Sequence, residues 1–202
     1  MLDRSVVARA FAYAALVVVC ACGGRQADVT DPNAPAPVVS PSGPAAPPGS
    51  MPVCAAGGVP FQDGAVIGPR ADEYDYGVDV DVSCSGKSSG FLRAQAAAPV
   101  GYVTLFSTVP PDGFRAQKLR VAGFVKSDAV SGWAGLWARV LDDAGTTLAF
   151  QNMAARPIVG TTDWSRYELV VDVPAGASSI YIGLSLDGPG QVWVDGVVVD
   201  AP

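Results

Sequence analysis

Along residues 78–200 of this 202-residue chain, apolar side chains alternate with polar ones, and no stretch sustains the 3.6-residue recurrence of an amphipathic helix. The alternation predicts strands over 78–83, 90–94, 102–109, 118–126, 135–141, 147–151, 166–173, 179–186 and 191–200. Turn chemistry separates most of them: Pro110-Pro111-Asp112-Gly113, Asp142-Asp143-Ala144-Gly145, Pro174-Ala175-Gly176 and Asp187-Gly188-Pro189-Gly190. Residues 93–98 alone could make a helical turn, and Pro99 would stop it. Eight or nine short strands at this spacing predict an all-β fold, a two-sheet antiparallel jelly-roll sandwich.

A period of two also assigns the faces. Over 179–186, Ile180, Ile182, Leu184 and Leu186 form an unbroken apolar side opposite Tyr181, Ser185 and Asp187. Over 135–141, Leu136, Ala138 and Val140 oppose Trp137 and Arg139. In the last strand Val192, Val194 and Val198 share one side, with Trp193 and Asp195 on the other. Three strands are thus expected to turn an aromatic and a polar group away from the aliphatic core.

The first 52 residues follow different rules. Arg4 and Arg9 precede a short apolar run at 11–19, which ends in Val19-Cys20-Ala21-Cys22 before Gly23-Gly24. The tetrad resembles the lipobox of a bacterial lipoprotein. That resemblance implies a signal peptide over 1–21 and, at Cys22, an acylated (palmitate-bearing) N-terminus of the mature chain. Cys22 suits the role better than Cys20, because Ala precedes it and two glycines follow. A membrane-spanning helix would need about 20 apolar residues, and this run is roughly half that; secretory cleavage without lipid is the other alternative. Each buried methylene contributes about 0.8 kcal/mol, and one acyl chain alone holds only marginally. By the same resemblance, the absence of Asp after Cys22 implies the outer membrane where a bacterium has two. Residues 22–52 are dominated by Pro, Ala, Ser and Gly, as in Asp31-Pro32-Asn33-Ala34-Pro35. They read as a semi-rigid tether, about 3 Å per residue where extended. A proline-rich recognition site, the alternative, lacks a flanking basic or aromatic signature. Residues 53–202 are then one domain, long enough to bury a core.

Charge narrows the partners. The chain has 19 Asp and Glu against 13 Lys and Arg, a net charge of −6. Loss of Asp3, Arg4 and Arg9 with the leader makes the remainder more acidic still. No Lys/Arg cluster occurs, so neither nucleic acid nor anionic lipid has a basic stripe to bind. In an exported protein Cys54 and Cys84 are expected to pair, contributing about 3–4 kcal/mol on the chain-entropy model; two separate buried thiols are the alternative. The chain has no histidine, which rules out Ser-His-Asp and Cys-His devices and the usual zinc sites. No two carboxylates stand in a recognisable acid/base context for glycoside cleavage. Gly86-Lys87-Ser88 lacks the preceding strand and upstream glycine of a phosphate loop.

The run Trp133-Ala134-Gly135-Leu136-Trp137-Ala138-Arg139-Val140 leads to Gln151-Asn152-Met153, Arg156-Pro157-Ile158 and Gly160-Thr161-Thr162-Asp163-Trp164, and the chain closes on Gly190-Gln191-Val192-Trp193-Val194-Asp195. Over 74–200, and most strongly from 119 onward, this pattern resembles a bacterial galactose-binding-like jelly-roll module, a relative of carbohydrate-binding domains. Gln151 stands where the resemblance leads one to expect Asp, and Gly196 where a second Asp often follows Asp195. The resemblance implies a sugar site built from flat aromatic faces and a few orienting polar groups. Trp137, Arg139, Asn152, Arg156, Tyr181, Gln191 and Trp193 are the candidates. The alternative makes the tryptophans packing residues and has the arginines bond carbonyls or an acid such as Asp163. Asp72, Glu73, Asp75, Asp79 and Asp81 invite calcium. A structural calcium between the first and last strands, as in jelly-roll modules, would join Asp75 to Asp195. The alternating Val78, Val80 and Val82 suit a half-exposed strand with solvated acids instead. The expectation is a membrane-anchored, non-catalytic binding module for carbohydrate or cell-envelope glycan, with Trp137 and Trp193 as adjacent stacking platforms. The alternative is a structural or protein-interaction envelope lipoprotein with no small-molecule ligand.

Overall fold

Valine, isoleucine and leucine at alternate positions make strands that bury one side, and among the described residues nine such strands form. They are β1 (Gly64–Ile67), β2 (Tyr74–Asp79), β3 (Ser89–Ala94), β4 (Tyr102–Val109), β5 (Gln117–Leu141), β6 (Thr147–Asn152), β7 (Ile158–Val173), β8 (Ser179–Asp187) and β9 (Gln191–Asp200). The computed structural model describes Cys54, Phe61, β1 and residues 70–202. The expected signal peptide, Cys22 and the linker lie outside the described residues.

Every pairing among the described residues is antiparallel, and β5 decides the architecture. Its first half pairs with β7, from Gln117↔Val173 to Val125↔Ser165, and with β9, from Arg120↔Asp200 to Asp128↔Gln191. Its second half pairs with β8, from Trp133↔Asp187 to Leu141↔Ser179, and with β6. One strand therefore serves two sheets, β2-β3-β9-β5-β7 and β1-β4-β8-β5-β6. Between them lies one core, which includes Leu92, Leu119, Val121, Leu136, Ile180, Leu184 and Val194. Leu136 and Leu184 are wholly buried, and each such side chain contributes about 1.5–3 kcal/mol. The jelly-roll sandwich is as the alternation predicts.

Five local readings change. The expected strands 118–126 and 135–141 are one, because β5 crosses between sheets through irregular pairing at Ser127–Ala134, with Ala129 at φ 50°. The expected strand 78–83 runs instead over Tyr74–Asp79. Asp79 ends it by accepting the amides of Asp81 at 2.9 Å and Val82 at 3.0 Å, a turn that an aspartate favours. β7 begins at Ile158 rather than Arg166, and β1 was not expected. In β9, Val198 is 43% exposed rather than on the side of Val192 and Val194. The pairing with β5 slips between Ala122 and Phe124, and Gly196 takes φ 58°. This bulge advances the alternation by one residue, so Val197 and Val199 face the core.

Cys54 and Cys84 are joined in a disulfide, with Cα atoms 5.7 Å apart. Asp195, 4% exposed, holds the Cys84 loop. One carboxylate oxygen accepts the amides of Cys84 at 2.9 Å and Ser85 at 2.6 Å; the other accepts the Ser85 hydroxyl at 3.3 Å and its neighbour Gly196's amide at 2.6 Å.

Candidate functional site

On the sheet β1-β4-β8-β5-β6, the side chains turned away from the core line up in rows across the strands. Tyr102 faces Asp187, which faces Trp133; Thr104 faces Ser185, which faces Gly135. Phe106, Gly183, Trp137 and Asn152 follow, then Tyr181, Arg139 and Phe150. The face is therefore a lattice of aromatic and uncharged polar groups with one cation and one carboxylate. A cleft of about 350 Å³ runs along it from Tyr102, Trp133 and Asp187 to Arg139 and Phe150.

Trp137 makes the floor. Its Nε1–H donates to Thr104 Oγ1 at 2.7 Å, and the Thr104 hydroxyl donates onward to the Leu184 carbonyl at 2.8 Å. The ring crosses Gly183, where a Cβ would fall 2.6 Å from its Cε2 and Cζ2 atoms. The indole thus packs over the strand at Gly183, its polar edge satisfied, and is partly buried. Tyr102 and Phe150, 44% and 48% exposed, stand on the flanking strands β4 and β6. The Arg139 guanidinium lies 5.0 Å from the centre of the Phe150 ring, a cation–π arrangement. Tyr181, beside Arg139 on this face, packs against Phe106 with ring centres 6.0 Å apart.

Of the residues singled out from sequence, Trp137, Arg139 and Asn152 line this cleft and Tyr181 flanks it. Three do not join them. Trp193 is 8% exposed, on the other sheet between Phe91 and Lys126. Its Nε1–H donates to Asp79 Oδ2 at 2.8 Å, which holds the Asp79 carboxyl below the usual carboxylate range. Trp193 is a clamp on the turn after β2, not a platform beside Trp137. Gln191 is on that same sheet, paired with Arg93 and Asp128. Arg156 lies in the turn after β6 and donates to the Glu168 carbonyl. The calcium pair is not assembled either. Asp75 forms an ion pair with Arg93 at 2.5 Å, and both Asp195 oxygens are taken by the donors above. Among the described residues no group of three or more His, Cys, Asp or Glu is placed to hold a metal.

Tyr102, Thr104, Trp133, Phe150, Ser185 and Asp187 were not anticipated as cleft residues. Trp133 carried a usable signal, since it sits four residues before Trp137 and shares its parity. The others reach the cleft through strand pairing, which no local pattern states. A second hollow of about 230 Å³ lies on the opposite sheet around Arg120, Phe124, Arg166 and Asp200. There Arg120 grips Asp200 through two bonds of 2.8 and 2.6 Å, and Arg166 pairs with Glu168 at 2.6 Å, so each of its charged groups has a partner.

No family model matches this chain. The HTH-type transcriptional regulator YbfP of Bacillus subtilis is 37% identical over 134 residues, covering 66% of this chain and 45% of that protein. The chain spans less than half the length of that relative. The described residues form no α-helix, so a helix-turn-helix is not what they share with it. Among solved structures, the CBM22-1 xylan-binding domain of Paenibacillus barcinonensis Xyn10C is 16% identical, with a TM-score of 0.49 over 71% of this chain and 88% of that one. The enzymatically active domain of tailspike protein 4 from bacteriophage CBA120 is 20% identical, with a TM-score of 0.49 over 64% of this chain and 18% of that one. The fold rests on the strand pairing itself.

Proposed function

We propose that this protein is a glycan-binding module held at a bacterial membrane by lipid on Cys22. The observation that carries the reading is the Trp137 indole packed over Gly183 and tied to Thr104 in an open cleft. A flat aromatic surface stacks on the C–H face of a sugar, while a few fixed polar groups orient its hydroxyls. Ser185 and Asn152 line the same cleft to supply them. The reading is one of binding without cleavage: glycoside hydrolysis takes two carboxyl groups across the bond, and among the described cleft residues Asp187 alone carries one.

The expected result is saturable binding of the full-length protein on a glycan array, confirmed by calorimetry. Trp137→Ala is expected to weaken it by about 2 kcal/mol or more, roughly thirtyfold, as for a central binding residue. Absence of saturable binding across a chemically diverse array would overturn the reading. The anchor is tested separately: Cys22→Ser should abolish labelling by radioactive palmitate and move the protein from the membrane to the soluble fraction. Persistent labelling would place the lipid elsewhere. The second reading, a protein-interaction or structural envelope lipoprotein, draws on Trp193, whose burial and bond to Asp79 are those of a packing residue.

A further inference from the structure

Arg139 is set apart from the other arginines of the described residues. Arg70, Arg93, Arg115, Arg120 and Arg166 each pair with a carboxylate. Arg156 donates to a backbone carbonyl. Among the described residues Arg139 has no carboxylate partner; it is exposed in the cleft, with Phe150 beside its guanidinium. A guanidinium steadied by an aromatic ring and left with free N–H groups presents the planar fork that matches the two oxygens of a carboxylate.

The opposite end of the cleft carries the opposite charge. Asp187 lies six residues along β8 from Tyr181, the register partner of Arg139, about 20 Å away at the rise of an antiparallel strand. No cation among the described residues pairs with Asp187. The distance is several times the width of one sugar ring, so the cleft is shaped for an oligosaccharide. Asp187 repels a carboxylate and accepts hydroxyl donors, whereas Arg139 attracts one.

Resting on the glycan-binding reading above, we infer that the ligand is an acidic glycan carrying isolated ring carboxylates, one of which lies on Arg139 while a neutral sugar sits by Asp187. A chain with an acid on every sugar would set a carboxylate against Asp187 and is disfavoured.

The test compares an otherwise neutral oligosaccharide carrying a single glucuronate with its methyl ester, which keeps the shape and removes the charge, by calorimetry on the full-length protein. The acid is expected to bind about tenfold more tightly than the ester, as a charge-assisted bidentate contact provides. The preference should shrink as salt is raised. In Arg139→Gln, acid and ester should bind within about twofold of one another. Equal binding of acid and ester by the wild type, or a preference that survives Arg139→Gln, overturns the inference. Neutral glycans bound through Trp137 with no gain from the carboxylate would leave the glycan-binding reading standing and this one refuted. No binding of any glycan would remove both.

Discussion

Asp195→Ala is expected to lower the melting temperature by about 10 °C. The carboxylate is buried and accepts from three backbone amides and a hydroxyl. Truncation leaves the amides of Cys84, Ser85 and Gly196 without that acceptor, and hydrogen bonds to a charged group contribute about 1.5–3 kcal/mol each. Part of the loss is recovered as the loop relaxes toward water, so about 3–5 kcal/mol remains, which corresponds to the stated shift for a domain of this size. Asp195→Asn keeps one acceptor oxygen and should fall between the two. Scanning calorimetry with the Cys54–Cys84 bond intact gives the comparison. A fall of less than about 2 °C for the alanine variant would mean that Asp195 does not hold the loop.

Gly183→Ala is expected to weaken glycan binding as much as Trp137→Ala, roughly thirtyfold, while leaving the tryptophan in place. The added methyl would sit 2.6 Å from the Trp137 ring and 2.3 Å from the Leu105 carbonyl oxygen. Either the indole lifts and breaks its bond to Thr104, or β8 shifts against β4. Overpacking of this kind costs about 1–3 kcal/mol, a drop of several degrees in melting temperature. Calorimetric titration beside a thermal melt separates the effects: the variant should stay folded at 25 °C and bind about thirtyfold more weakly. Normal affinity in a folded Gly183→Ala protein would show that the ring's position on the sheet is immaterial.

The β8 pattern was legible in full, because Ile180, Ile182, Leu184 and Leu186 are buried and Tyr181 and Asp187 turn outward. The same held for Leu136, Ala138 and Val140 against Trp137 and Arg139. The reading failed where a single residue interrupts the period. The bulge at Gly196 moved Val198 to the solvent side, and the Asp79 turn ended β2 early. Neither interruption changes composition enough to be seen along the chain.

Alternation by itself determined which side chains point inward, because the two-residue period of a strand is a property of its own backbone. Composition likewise excluded histidine chemistry. Only the tertiary structure decided which outward side chains meet. Trp137 and Trp193 both face away from the core, yet they stand on different sheets, since β5 crosses between layers and gives its second half to β8 and its first to β9. Tyr102, Trp133 and Asp187, far apart in sequence, share one row of that lattice. Neighbours across a sheet are set by long-range pairing and register, which the pattern within any one strand does not contain.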